Sequence, residues 1–181
     1  WARGVSGRVG HVVARGAASV ARRSDLTVVA DDHVEPLRAR ERLVVRNEPD
    51  LTLLGRPAPA DPEPRAVYVG DVRTSRGLRE MVGAVERRTR WSLDVFGPVA
   101  GADTAWVDGR LADPALRGRL RFHGRLPPAQ AWDLARGAWV GFALLHDTPA
   151  FRDAVPSKLH EYLALGIVPL VSDLPRQRDL V

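Results

Sequence analysis

The stretch VPSKLHEYLALGIVPLV, residues 155–171, decides the fold of this chain. Proline suits the first turn of a helix and glycine suits the left-handed residue that ends one, so Pro156 and Gly166 predict a helix over residues 156–165. Apolar residues recur within it at the spacing of a core-facing stripe, namely Leu159, Tyr162 and Leu163. The apolar run 167–171 that follows predicts a buried strand.

The same alternation of helix and strand extends upstream as far as residue 66. Apolar runs predict strands at 66–70, 92–96, 119–123 and 138–145. Patterns between them predict helices at 76–88 and 128–136, whereas residues 101–118 are poorly patterned. Strands that alternate with helices indicate a parallel sheet covered on both faces. We therefore predict an α/β fold with a Rossmann-like, doubly wound parallel sheet, which binds ligands at the carboxyl ends of its strands.

Residues 1–54 carry a shorter pattern of the same kind. It predicts helices at 9–23 and 31–41 and strands at 26–30 and 43–46. The next segment, GRPAPADPEP, contains four prolines, a composition typical of a semi-rigid connector. We predict the end of one α/β domain in residues 1–54, a linker at 55–65 and a second domain at 66–181. Because the chain starts without methionine and stops inside a predicted helix, we expect a fragment, truncated at its end.

Composition excludes several classes of function. The 181 residues are 45% hydrophobic and 27% charged, as in globular proteins, and the net charge is +5. Arginines alternate with acidic residues and aromatic residues are few, which disfavours nucleic acid as a partner. The absence of cysteine excludes disulfides and thiolate metal sites and fits the cytoplasm, and the scattered histidines show no zinc-binding spacing. The longest apolar run, 138–145, is far shorter than a membrane span.

The start of the helix at 156–165 is a candidate anion site. Unpaired amides at a helix N-terminus attract anions, and Ser157 and Lys158 add a hydroxyl and an ammonium. Lys158 is the only lysine among 27 basic residues, which indicates a specific role. The carboxylate of Glu161, one turn further on, can accept hydrogen bonds from two sugar hydroxyls. Phosphate and ribose together describe a nucleotide site; the alternative is an exposed ion pair between Lys158 and Glu161.

The segment PSKLHEYLALGIVPLVSD resembles the donor-binding segment of GT-B glycosyltransferases, in particular the retaining family-four type. The resemblance implies that Glu161 binds the ribose of a nucleotide-sugar. Two positions depart from the family pattern. Val168 stands where the family usually has proline, and Asp153 stands where it often has the first glutamate of an E-x7-E pair.

Two further turns resemble the same family. Residues 70–77, GDVRTSRG, are similar to its G-R-x-x-x-x-K-G turn, so that Gly70, Arg76 and Gly77 match. Asp71 replaces the arginine, and Arg73 is the candidate to substitute for it. An arginine near the start of the following helix can bind a diphosphate bidentately. The alternative is a solvated loop, which we favour for Arg73 and not for Arg76.

Residues 121–127, RFHGRLP, resemble a strand end of the family after which one residue lies near the nucleotide base. That residue is Arg125 here, whereas His123 is interpreted as an ordinary strand-end histidine. Residues 24–50 loosely resemble the end of the family's N-terminal domain, with Asn47 and Asp50 shaping a turn.

The resemblance implies the transfer of a hexosyl-type sugar from a nucleotide-diphosphate sugar, such as a UDP-sugar, to an acceptor hydroxyl, with retention and without metal or other cofactor. Arg76 and Lys158 would stabilise the leaving diphosphate, with Glu161 beside them. The acceptor would be a sugar, a lipid-linked sugar or a small molecule, as in polysaccharide biosynthesis. The fragment alone can be inactive, and association with a membrane surface through missing parts stays open. The alternatives are a nucleotide-sugar epimerase of the same fold and a non-catalytic nucleotide-binding domain.

Overall fold

The computed structural model describes residues 5–34, 36–46 and 48–181; of residues 5–9, 11 and 53 it describes the backbone alone. The chain divides into two compact units, Trp1–Glu48 and Pro49–Val181. The predicted division into the end of one α/β domain at 1–54, a linker at 55–65 and a second domain at 66–181 stays a prediction. Asn47, interpreted above as a turn residue, lies outside the described residues.

The first unit contains one long helix and a two-stranded parallel sheet. Helix α1 covers Val5–Ala21, and strand β1, Thr27–Val29, pairs with strand β2, Arg42–Val44. The helix predicted at 31–41 is wrong for the described part of that segment, which is irregular. The Arg42 guanidinium explains the difference, because it donates hydrogen bonds of 2.9–3.2 Å to carbonyls that a helix would need for its own amides. These belong to Asp31, Asp32, Val34 and Pro36.

The second unit is built on a five-stranded sheet in which every neighbouring pair is parallel. The strands are β3 (Arg65–Val69), β4 (Ser92–Phe96), β5 (Leu120–Phe122), β6 (Val140–Ala143) and β7 (Val168–Val171). Their order across the sheet is β5-β4-β3-β6-β7, so the first strand of the unit lies in the centre and the chain builds outward on either side. The predicted α/β fold with a Rossmann-like parallel sheet is therefore confirmed.

Five helices accompany this sheet: α2 (Leu78–Glu86), α3 (Gly101–Leu111), α4 (Pro128–Ala135), α5 (Lys158–Ala164) and the short α6 (Pro175–Arg178). Helix α3 lies in the segment 101–118, for which the sequence predicted no element. Its pattern is weak because it buries little, namely Val107 and a polar residue, Asp103. Among the described residues, no helix combines the length and the apolar content that crossing a membrane would require.

The sheet is covered on both faces. One face packs against α2 and α3, with Met81, Val82 and Val107 in its core. The other packs against α4 and α5, with Trp132, Leu159 and Tyr162. Leu163 is 48% exposed, so the stripe predicted for α5 is wrong at that residue; after the helix ends, its buried side continues through Leu165 and Ile167.

A buried carboxylate on β4 links side chains from the neighbouring strands β3 and β5. Asp94 on β4 accepts hydrogen bonds from Nε and Nη2 of Arg121 at 2.7 and 2.8 Å, and Nε2 of His123 lies 2.7 Å away. Arg65 on β3 contacts the same carboxylate at 3.3 Å and also donates to the carbonyls of Leu134 and Arg136 at the end of α4. Burial disfavours the charge of Asp94, but the surrounding donors and cations outweigh it and lower its pKa to about 2.

Candidate functional site

The candidate site lies where β3 and β6 separate at their carboxyl ends. The two strands pair only through Ala66 with Val140 and Val67 with Gly141. Beyond these pairs the Tyr162 hydroxyl lies between them, accepting a hydrogen bond from the Val69 amide at 3.3 Å and donating one to the Phe142 carbonyl at 3.2 Å. The strand order reverses direction at this point, and a doubly wound sheet offers its ligand crevice there.

The turn after β3 brings backbone to the edge of this crevice. Gly70 has a φ of +130°, which favours glycine, and its amide donates to the Phe96 carbonyl at 2.8 Å. A Cβ on Gly70 would lie 2.9 Å from Nζ of Lys158. Any larger residue at this position would therefore displace the lysine side chain.

Lys158, the first residue of α5, extends its ammonium to the turn. Its Nζ lies 3.7 Å from the ring centroid of Tyr68 on β3, within the range of a cation–π contact. Burial, followed by the nearby charge of Arg76, lowers the pKa of Lys158 to about 7, although Glu161 and Asp71 act in the opposite direction. Among the described residues no carboxylate lies within salt-bridge distance of Nζ. At neutral pH Lys158 is therefore near the midpoint of its titration, and within the described part of the chain its ammonium has no ion-pair partner.

Arg76 is a second cation in the same place. Its guanidinium carbon lies 5.9 Å from the ring centroid of Phe151, in the loop between β6 and α5. The buried Nε has no hydrogen-bond partner among the residues described. Burial raises the pKa of Tyr68 to about 12, and the Arg76 charge acts against that shift. Burial lowers the pKa of Lys158, and there the Arg76 charge acts in the same direction. A buried donor without a hydrogen-bond partner costs free energy, so an anion that accepts a hydrogen bond from Arg76 Nε would stabilise the site.

Glu161 is half-buried on the first turn of α5. Burial raises the pKa of its carboxyl group, and the charge of Lys158 acts against that shift. No salt bridge or hydrogen bond of this carboxylate occurs within the described part of the chain. It is therefore available as an acceptor.

Of the sequence-predicted residues, Gly70, Arg76, Lys158 and Glu161 are brought together. Gly77 directly precedes α2 with a φ of +79° and lies against Leu144. Ser157 precedes α5 and forms no side-chain cap. Gly77 and Ser157 thus lie at the N-terminal ends of α2 and α5, beside the four residues that come together.

The remaining predicted residues have other contacts. Arg73 pairs with Asp71 at 3.2 Å on the surface, and the exposed Asp153 offers its backbone carbonyl to Arg176. Arg125 is exposed after Gly124, whose carbonyl accepts a hydrogen bond from the Gly97 amide. No contact between these three side chains and Lys158 or Glu161 is present within the described residues.

Sequence reasoning missed two residues beside the site. Asp103 on α3 accepts hydrogen bonds from the amide and hydroxyl of Thr74, at 3.0 and 2.6 Å, and so fixes the turn that carries Arg76. Tyr68 was seen only as a strand residue. Asp103 was missed because the apolar pattern of the segment around it is weak. Tyr68 was missed because no sequence signal marks a tyrosine whose ring contacts a lysine far away in the chain.

Comparison with known proteins defines the fold. No family model and no curated protein sequence matches the chain. Among solved structures, HepE of Anabaena in complex with UDP-glucose is similar with a TM-score of 0.71 and 14% identity, covering 92% of this chain and 50% of that one. Sucrose-phosphate synthase from Thermosynechococcus elongatus has a TM-score of 0.71 and 16% identity, over 93% and 46% of the two chains.

The C-terminal domain of LpcC, a group 1 glycosyl transferase of Francisella tularensis, has a TM-score of 0.56 at 14% identity over 70% of this chain and 71% of that one. The chain thus spans about half the length of HepE and of the synthase. At sequence identities this low, the similarity is evidence for the fold alone. The fold is that of GT-B glycosyltransferases, as the sequence resemblance predicted.

Proposed function

We propose that this chain is the donor-binding half of a glycosyltransferase, which transfers a sugar from a nucleotide-diphosphate sugar to an acceptor hydroxyl. One observation carries the proposal. Two cations, Lys158 and Arg76, converge beside Gly70 at the switch point of the sheet, and neither has a salt-bridge partner within the described residues. Two unpaired positive charges next to a close backbone turn suit a diphosphate.

The diphosphate would lie between Gly70, Arg76 and Lys158. Both cations are partly withdrawn from water, so their attraction for an anion is stronger than on an open surface. Binding an anion also favours the protonated form of Lys158, which burial disfavours. The unpaired donor at Arg76 Nε would gain an acceptor. Each of these effects favours a doubly charged group over a neutral one.

The nucleoside would extend from the diphosphate towards Glu161. Its half-buried carboxylate can accept two hydrogen bonds from ribose hydroxyls, and partial burial strengthens such bonds. Arg125, after the glycine that follows β5, would lie near the base. Arg73, Gly77, Asp153 and Ser157 would line the surroundings.

Transfer requires that the departing diphosphate be stabilised as its bond to the sugar breaks. Lys158 and Arg76 supply that charge stabilisation without a resident metal ion, since they stay charged while the leaving group develops its negative charge. Retention of configuration follows if the acceptor hydroxyl attacks on the leaving group's own face, as in the family-four type. The acceptor side would be supplied by residues outside this chain.

The structural neighbours support this proposal and suggest the first donor to test. HepE was crystallised with UDP and with UDP-glucose, and its fold is shared here. We therefore infer a hexosyl-type UDP-sugar as the first candidate donor. A cytoplasmic location, with a sugar, lipid-linked or small-molecule acceptor, fits a role in polysaccharide biosynthesis.

Calorimetry with UDP-, GDP-, ADP- and TDP-sugars tests the donor site. We expect one nucleotide series to bind wild type at least tenfold more tightly than it binds Lys158→Ala or Glu161→Ala. Arg90→Ala is the matched control, because its exposed guanidinium is paired with Glu63 at the surface and has no proposed role in the donor site. If every donor binds wild type and the two site variants equally, the proposal is wrong.

Product analysis then distinguishes the alternatives. Mass spectrometry and proton NMR of the bound donor, with and without added sugar acceptors, report transfer, isomerisation or neither. A transferred sugar supports the proposal. An isomerised donor without acceptor would indicate an epimerase, and full-length protein that binds nucleotide but changes no donor would indicate a non-catalytic domain.

A further inference from the structure

Tyr68 is buried beneath the candidate site and is fixed at both ends. The residue lies near the carboxyl end of the central strand β3 and is only 1% exposed. Its hydroxyl donates a 2.7 Å hydrogen bond to the carbonyl of Asp71, in the turn that follows Gly70. The ring therefore cannot shift without moving the strand or the turn.

The ammonium of Lys158 lies over the face of this ring, 3.7 Å from its centroid. An aromatic face attracts a cation through its quadrupole and carries no net charge. A carboxylate partner would also hold the lysine, but it would compete with an incoming anion. The ring leaves the N–H donors of the ammonium available for a ligand.

We propose that Tyr68 is a positioning residue for Lys158, with its ring holding the ammonium beside Gly70 and its hydroxyl holding the turn that completes the anion site. The inference rests on the proposed function, because the position matters only if an anion binds there. It adds a residue that touches neither the diphosphate nor the sugar. Tyr68 acts through Lys158 and the backbone of Asp71.

The inference predicts how the pKa of Lys158 changes when the ring of Tyr68 is removed. The groups that face Nζ are Arg76, which disfavours the charged form, and Glu161 and Asp71, which favour it. The ring face also favours the ammonium over the neutral amine. Removing the ring should lower the pKa of Lys158 by about half a unit to one unit, whereas removing only the hydroxyl should not.

The sequence offers a direct measurement, because Lys158 is the only lysine. Labelling the 181-residue chain with carbon-13 lysine gives a single side-chain signal in a two-dimensional NMR spectrum. In wild type we expect its ε-methylene protons to be shifted upfield by the ring current of Tyr68. Tyr68→Phe keeps the shift and the pKa, and Tyr68→Leu loses the shift and titrates at lower pH.

Several outcomes overturn the inference. A wild-type signal without a ring-current shift does so, as does a Tyr68→Leu variant whose Lys158 pKa and UDP affinity equal those of wild type. If Tyr68→Leu does not fold, as its thermal unfolding would show, the wild-type and Tyr68→Phe signals decide, and the shift must be present in both.

Adding UDP separates this inference from the proposed function. If the proposed function fails, the Lys158 signal keeps its ring-current shift but does not respond to UDP. If the positioning role fails, the signal responds to UDP, but Tyr68→Leu binds UDP as tightly as wild type at every pH between 6 and 9. We expect Tyr68→Leu to bind several-fold more weakly, with the larger loss above pH 7.

Discussion

Gly77 lies against Leu144, so closely that a Cβ on the glycine would approach the Leu144 carbonyl oxygen to 2.8 Å. Gly77 directly precedes α2, and Leu144 follows β6. The contact joins the turn that carries Arg76 to the loop that leads to Lys158. The spacing of the two cations therefore depends on a position that has no room for a side chain.

Gly77→Ala should lower the free energy of unfolding by about 3 kcal/mol, because the new methyl group meets backbone and the φ of +79° strains alanine. Gly109→Ala is the matched control, since Gly109 lies in α3 and, apart from the adjoining residues and backbone of that helix, no atom lies within 4 Å of the place that its methyl group would take. At position 109, alanine should raise the free energy of unfolding by about 0.5–1 kcal/mol. Urea unfolding of both variants checks the pair, and a loss at position 109 as large as that at position 77 would contradict it.

Asp94→Asn should lower the free energy of unfolding by about 2 kcal/mol at pH 7, because the charged partner of Arg121 and Arg65 is lost from a buried site. The native pKa of Asp94, about 2, lies below the unfolded value, so its stabilisation is present above about pH 5 and is lost as pH falls towards 2. The variant should therefore have a flatter stability profile between pH 5 and 2.

Asp147→Asn is the control for this substitution. Asp147 also binds an arginine through two hydrogen bonds, at 2.9 and 3.0 Å to Arg152, but at the surface. Replacing Asp147 should leave the free energy of unfolding unchanged within experimental error. Equal losses at Asp94 and Asp147 in urea unfolding would show that burial of the Asp94 carboxylate has no energetic role.

Binding of UDP-glucose should weaken as pH rises through 7, because Lys158 loses its positive charge in this range. We expect a decrease of about tenfold in affinity between pH 7 and 9. Lys158→Arg is the control, since a guanidinium stays charged throughout. Calorimetry across this pH range should give a flat profile for Lys158→Arg, and a flat wild-type profile would contradict the role of the ammonium.

Glu161→Ala should remove the preference for ribose and leave diphosphate binding intact. Hydrogen bonds to a charged acceptor contribute about 1.5–3 kcal/mol, so wild type should bind UDP roughly 10- to 100-fold more tightly than 2′,3′-dideoxy-UDP. In the variant the two nucleotides should bind alike. Pyrophosphate affinity, measured at pH 6 where Lys158 is charged, should not fall, and an equal loss of UDP and pyrophosphate would contradict the assignment.

The sequence predicted the strands of the second unit well because each is a short apolar run between turn residues. β4 was predicted without error at residues 92–96, and the other strands within a few residues. The helix α3 escaped prediction because it buries one apolar residue, Val107, beside a carboxylate. The segment 31–41 was predicted as a helix because nothing local shows that Arg42 will bind its carbonyls.

The candidate site was predictable only in part. Gly70, Arg76, Lys158 and Glu161 come from turn and helix motifs, which local spacing and resemblance can show. The contact of Lys158 with Tyr68 joins α5 to β3, and that of Thr74 with Asp103 joins a turn to α3. Such contacts depend on how the whole sheet is packed, so sequence periodicity cannot show them.

A crystal structure of the chain with UDP-glucose tests the central claim most directly. We predict diphosphate oxygens within hydrogen-bond distance of Lys158 Nζ and of the Arg76 guanidinium, and ribose hydroxyls within that distance of Glu161. A donor bound elsewhere, or a bound diphosphate that neither cation contacts, would contradict the account.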